Sequence, residues 1–266
     1  MAGPVLVMLH GQPGSGSDWQ GVTARLPAGV EPVVLDRPGY ASNPAAAGGF
    51  RHNAEAVLQA MDERSIDRAV LVGHSWGAGV ALAAAHLAPE RVDALVLVSG
   101  VGPGCVTWVD RVLAAPLVGA LCSFVAWSLT PWVARARLSR IERLRDRPLE
   151  PDEHVNWHLW GQARHDHGRV WRTFLVEQRA LLAELDDLVD DVRGLTLPVL
   201  LVHDPVDSIV PVRSAASLAA SLPRAELVLV SGGHQLPQRV PGPVADAITA
   251  FLGLLPEGGN GPVAVG

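Results

Sequence analysis

The chain has 266 residues, 48% of them hydrophobic, and a formal net charge of −6. This is enough apolar material for one large domain with an insertion, and it argues against a disordered chain. No basic cluster is large enough for a nucleic-acid footprint, so no nucleic-acid partner is expected.

The first apolar run, Val5–Leu9, reads as a strand. It leads into His10-Gly11-Gln12-Pro13-Gly14, a turn that either only reverses the chain or supplies a backbone N–H, that of Gln12, to a reacting oxygen. His10 reads as a structural hydrogen-bonding residue that holds this turn. Met1–Leu9 lacks the basic start of a signal peptide, so the expected location is the cytoplasm. All 21 basic residues are arginine, which reads as a high-GC bacterial coding bias. A helix over Trp19–Leu26, a strand over Pro32–Leu35 and a helix over Phe50–Met61 follow.

The strand Ala69–Val72 then runs into Gly73-His74-Ser75-Trp76-Gly77, and an alanine-rich helix is expected over Gly77–Leu87. In this strand–turn–helix setting a G-x-S-x-G match predicts a nucleophilic serine on a tight, strained turn. The two glycines would let neighbouring backbones pass close by. Trp76 would open the helix, with its N–H aimed where negative charge develops. A glycine-rich connection without chemistry is the alternative.

After the strand Ala94–Val98 the alternation stops. Residues 101–193 contain no good strand, several helical patterns and six tryptophans, and read as a helical cap. Trp108, Trp127, Trp132, Trp157 and Trp160 are the candidates for lining a substrate pocket, although core packing is the commoner fate of any one tryptophan. Val112–Ala134 carries no charge, but prolines and small polar residues interrupt it. Two bent cap helices are expected there, not a membrane span. The arginines from Arg135 to Arg147 read as a solvated face paired with Glu142, Asp146 and Glu150. His154, His158, His165 and His167 lack the pattern of a metal site, and no metal is expected. Cys105 and Cys122 read as buried packing residues, not a disulfide.

The alternation resumes with the strand Pro198–Val202, a helix over Arg213–Leu222, the strand Glu226–Val230 and a helix over Pro243–Leu254. A mobile tail is expected from Pro256. Asp204 and Asp207 share the loop after the first of these strands. Either suits the acid of a proton relay, and Asp207 is preferred because it directly precedes Ile209-Val210-Pro211. His234, on Ser231-Gly232-Gly233-His234, is the candidate base. Strands alternating with helices imply a mainly parallel sheet with helices on both faces, the core being 1–100 and 194–266. Gln12, Ser75, Asp207 and His234 all follow strands, so all four meet at the C-terminal edge of that sheet.

These motifs together resemble the α/β-hydrolase superfamily, in its capped serine-hydrolase branch. His10–Gly14 looks like the family's oxyanion loop and Asp36-Arg37-Pro38-Gly39-Tyr40-Ala41-Ser42 like its turn after the second strand. Gly73–Gly77 is similar to its nucleophile elbow, and Asp207 and His234 match its acid and base positions. The resemblance implies a Ser75–His234–Asp207 triad, an oxyanion hole from Gln12 and Trp76, and ester-like hydrolysis without a cofactor. Thioesterase, carbon–carbon hydrolase, epoxide hydrolase and cyclase chemistry stay open on the same triad, as does a non-enzymatic receptor. Ser75 stands where dehalogenases of this fold use aspartate, which demotes that activity. Ala41 stands where the turn usually has glycine. The family's N-terminal hairpin is absent before Val5, so the sheet is expected to lack two strands. Its bare edge would suit cover by a second copy of the chain, as a homo-oligomer.

Overall fold

The computed structural model describes residues 3–125, 128–129 and 155–255, the side chains of 155–168 excepted. Six parallel strands form one sheet: β1 (Val5–Leu9), β2 (Glu31–Leu35), β3 (Ala69–His74), β4 (Val92–Val98), β5 (Val199–His203) and β6 (Ala225–Leu229). Their order is β2-β1-β3-β4-β5-β6. The four inner strands are almost wholly buried, because a parallel sheet covered on both faces can be apolar on both. The period of two sorts their side chains cleanly. Val7, Leu9 and Leu71 enter one apolar cluster, and Leu6, Met8, Val70 and Val72 enter the other.

Helices cover both faces. On the first lie α2 (Phe50–Glu63) and α3 (Trp76–Leu87). Helix α3 is buried from Trp76 to Ala85, and its alanines bring it close against the sheet. The second face is covered by α1 (Gln20–Thr23) and, from the chain's end, by a helix over Pro241–Leu252. The expected helix over Trp19–Leu26 is shorter than its apolar pattern suggested. A 3-10 turn at Gly16–Trp19 precedes α1, and i→i−3 bonds from Arg25 and Leu26 tighten its end. Pro27 follows at once and disfavours helical backbone before it.

Between β4 and β5 every described element is helical. Thr107 and Asp110 form a capping box that opens α4 (Trp108–Ala114). The chain breaks at Pro116 and re-enters α5 (Val118–Val125) at 96°. The expected pair covered Val112–Ala134, of which the described residues show the bend at Pro116; no single helix among the described residues is long and apolar enough to cross a membrane. Helix α6 (Val155–Asp191) then runs 37 residues back to the sheet. Cys105 is buried as expected, whereas Cys122 is exposed, because the face of α5 that carries it turns away from the core. After β5 come α7 (Val212–Ser221), then β6, then the short, unanticipated α8 (Leu236–Arg239). The terminal helix, α9, starts at Pro241, two residues before the expected Pro243, since proline is tolerated in a first helical turn. Among the described residues, β2 is one edge of the sheet and is largely exposed. The tail expected to be mobile from Pro256 lies outside the described residues.

Asp18, in the 3-10 turn, is buried, with the Ser15 N–H as its backbone donor. Burial pushes its carboxyl up to about 7. The folded chain therefore keeps a proton that the unfolded chain releases near the ordinary carboxylate range, and stability falls as pH rises across that window. Asp18→Asn keeps the shape and removes the charge. Urea titrations should find the variant's advantage over the natural chain growing between about pH 4 and about pH 8. A constant gap would contradict this assignment.

Candidate active site

Ser75 sits between the last residue of β3 and the first of α3, with φ 52° and ψ −118°. L-residues rarely adopt this backbone, and it persists because its surroundings fix it. The Ser75 N–H donates to Val98 O (2.9 Å), and its carbonyl accepts from Ala78 N (3.0 Å) and Val101 N (3.2 Å). The flanking glycines are needed for close approach. A Cβ on Gly73 would lie 2.3 Å from Gly77 O, and one on Gly77 would lie 2.5 Å from His10 O.

The structure brings the remote candidates to this turn. His234 Nε2 lies 2.9 Å from Ser75 Oγ, and His234 Nδ1 lies 2.8 Å from Asp207 Oδ2. With a carboxylate on Nδ1, the neutral ring carries its proton there, and Nε2 is the acceptor facing the hydroxyl. Asp207 Oδ1 accepts from Ile209 N (2.8 Å) and Val210 N (3.0 Å). Burial works to raise the Asp207 carboxyl, but the bonds from His234 and these two amides outweigh it and hold it below the usual range.

The two aspartates left open by the sequence have separate places. Asp204 does not reach the imidazole. Its Oδ2 accepts from Gly232 N (2.6 Å) and Gly233 N (2.7 Å), and its Oδ1 from Val206 N (2.6 Å). Those amide bonds hold its carboxyl below the usual range. Asp204 thus anchors the glycine loop that carries His234.

Trp76 contributes the first N–H of α3, which has no intrahelical acceptor. Gln12 lines the same cavity, and its side-chain Nε2 donates to Phe174 O on α6 (2.8 Å). Beneath this turn lies a buried network that sequence reading missed. Arg37 Nε donates to His10 O (3.0 Å) and Nη2 to Gly11 O (2.8 Å), while Nη1 pairs with Glu177 of α6. Tyr40 Oη donates to Glu177 Oε2 (2.7 Å). The Arg37 guanidinium also stacks on the Trp76 ring at 4.7 Å. His10 Nε2 accepts from Arg37 N (3.0 Å), in keeping with the structural role expected of His10. Its neighbour Asp36 hinted at a turn, but nothing local marked Glu177 as the partner of Arg37. Ala41, at the glycine position of that turn, has φ 41°.

The cavity above Ser75 measures about 1280 Å³. Val170, Phe174, Gln178 and Leu181 line it at helical spacing along α6, a signal present in the sequence but overshadowed by the tryptophans. Trp108 lines its mouth and is largely exposed. Trp127 and Trp132 lie outside the described residues, as does the run Arg135–Glu150. Trp157 and Trp160 fall on α6, where their side chains are not described. Asp36 and Asp110 are the charged side chains lining the cavity among the described residues, His234 aside.

A parallel sheet with a nucleophile-type turn, and these side chains at its C-terminal edge, define an α/β-hydrolase. Residues 4–237 match the sequence model described as alpha/beta hydrolase fold, and the chain belongs to that family. It is 30% identical over 231 residues to a 2-hydroxymuconate semialdehyde hydrolase of Pseudomonas putida, covering 84% of this chain and 75% of that protein. Among solved structures, a thermophilic esterase from Thermogutta terrifontis superposes with TM-score 0.73 at 18% identity, covering 94% of this chain and 90% of the other. The haloalkane dehalogenase DbeA from Bradyrhizobium elkani gives TM-score 0.71 at 20% identity, with the same coverage. These two share the fold. The family and the names of the sequence relatives support hydrolytic activity.

Glu177→Ala would leave Arg37 charged and buried without its carboxylate. Breaking such a pair costs about 3–5 kcal/mol, so equilibrium urea unfolding should show a loss of that order. A loss below about 1 kcal/mol, typical of an exposed pair, would refute the buried pairing.

Proposed function

We propose that the chain is a serine hydrolase cleaving an ester-like acyl bond of a small hydrophobic substrate. The observation that carries this is the unbroken contact line Ser75–His234–Asp207, at 2.9 and 2.8 Å, whose Ser75 and His234 line the cavity. Ser75 Oγ attacks the carbonyl carbon while its proton passes to His234 Nε2. Asp207 stays ionised, fixes the ring and stabilises the imidazolium. The N–H groups of Trp76 and Gln12 hold the oxyanion. The imidazolium then protonates the leaving alkoxide, which departs and leaves an acyl-enzyme. Water gives a proton to His234 as its oxygen attacks, and collapse releases the acid and restores the Ser75 hydroxyl. Every step uses the chain's own groups and water. The described parts of α4 and α6 that line the cavity act as the roof that keeps bulk water from the acyl group.

The apolar side of the cavity, with Val101, Leu113, Phe174 and Leu181, supports a hydrophobic acyl or alcohol part. Its two carboxylates, Asp36 and Asp110, favour an uncharged substrate over an anion. A second reading is favoured by the likeness to the Pseudomonas putida protein: the same triad acting on a semialdehyde. Side-by-side kcat/KM values for neutral esters and for a carboxylated semialdehyde separate the two.

A fluorophosphonate probe should label Ser75, and Ser75→Ala should abolish labelling and lower kcat on the best ester by on the order of 10⁶. An unlabelled protein with no turnover across an acyl panel would mark a receptor. Undiminished turnover by Ser75→Ala would end the proposal.

A further inference from the structure

We infer that His74, the residue before the nucleophile, is a positioning residue that clamps the backbone of the catalytic base. The inference rests on the serine-hydrolase reading above. His74 ends β3 and is buried, and its Nε2 donates to the carbonyl of His234 (3.0 Å). The two imidazoles lie 5.3 Å apart and tilted by 45°, with Trp19 edge-on to His74 at 6.4 Å.

The segment that carries His234 needs such a tie. Gly232 and Gly233 precede the base, and Gly233 adopts φ 77°, so the loop has little conformational stiffness of its own. Asp204 grips it from one side through the Gly232 and Gly233 N–H groups. His74 grips the peptide that leaves His234 on the other. Because His74 is bonded directly to Ser75, nucleophile and base are referenced to the same strand end. Their separation then depends on one rigid element and not on two independent loops.

The chemistry of the ring fits a clamp and not a proton carrier. An imidazole facing a carbonyl with Nε2 carries its proton on that atom. Burial, with the neighbouring His234, lowers the pKa of His74 to about 3, so it stays a neutral donor across the working range. Its Nδ1 is buried with no partner among the described residues, and the side chain does not line the cavity. Loss of the Nε2 donor should therefore reduce kcat and leave KM unchanged.

The test compares His74→Gln, whose amide nitrogen reaches the Nε2 position, with His74→Asn, whose amide stops short, and His74→Leu, which has no donor. Displacing a reacting group by about 1 Å costs on the order of 10² in rate. His74→Asn and His74→Leu are expected to lose roughly 10- to 100-fold in kcat on a neutral ester. KM should hold within about twofold, the fluorophosphonate should react more slowly, and His74→Gln should recover most of the loss. Equal kcat in the natural chain, His74→Asn and His74→Leu, or equal loss in Gln and Asn, would overturn the clamp. Nitrogen-15 spectra of the natural chain make the test independent of whether the variants fold. His74 should appear as a neutral Nε2–H tautomer that does not titrate between about pH 5 and about pH 9. An Nδ1–H tautomer or a titration in that window would overturn the inference. Failure of the parent reading is recognised separately, by a Ser75→Ala protein as active as the natural chain.

Discussion

The buried pair of Arg37 and Glu177 is the contact on which the site's geometry depends. It joins the turn after β2 to the middle of α6, two segments far apart in the chain. A lone charge at either position would be costly in this apolar setting. The surrounding groups offset part of that cost, although burial still leaves the Glu177 carboxyl above its usual range. The guanidinium reaches the His10 and Gly11 carbonyls, and the carboxylate takes the Tyr40 hydroxyl as well. The same guanidinium lies against the ring of Trp76. One arginine thus touches the loop carrying Gln12, the helix opened by Trp76 and the helix that roofs the cavity. Thr173, which donates to Gly39 O, and Glu184, which accepts from Phe50 N, extend this seam along α6.

The charges near Ser75 follow a consistent division. His10 and His74 are fully enclosed, and burial holds both below the ordinary histidine range. Tyr40 is likewise a fixed donor, since burial and the nearby Glu177 carboxylate keep its phenol well above the usual value. Among these three histidines, His234 is the one that lines the cavity, and it is hydrogen-bonded to both a hydroxyl and a carboxylate. The framework groups are locked in single protonation states, while the group proposed to move protons keeps an acceptor and a donor in line.

Much of this was legible from local patterns. Apolar runs located all six strands to within a residue or two; the four inner ones read as continuous because strands buried on both faces need no polar face. The Gly73–Gly77 pentapeptide was readable because only glycine tolerates carbonyls at 2.3 to 2.5 Å from where a Cβ would stand. The order of Ser75, Asp207 and His234 could be read because each follows a strand end. Asp204 and Asp207 could be ranked but not separated, since both suit a polar loop and only the folded Gly232–Gly233 backbone distinguishes them. The Arg37–Glu177 pair left no trace in sequence: its partners share no repeat, and each alone reads as an ordinary surface charge. The 37-residue span of α6 was also hidden, because its inner face mixes Val170 and Phe174 with Gln178 and Glu177 and so blurs the apolar stripe.

The loop after β5 holds two carboxylates whose spacing is set by a turn, with Asp207 N donating to Asp204 O at 3.3 Å. One carboxylate orients the imidazole and the other fastens the backbone beneath it. A single inserted or deleted residue there would rotate both away together, so this short connection has no freedom of length, unlike most surface loops. Substitutions meant to change what the cavity accepts belong instead on α4, whose Trp108, Val109, Asp110 and Leu113 line it and to which neither carboxylate is attached.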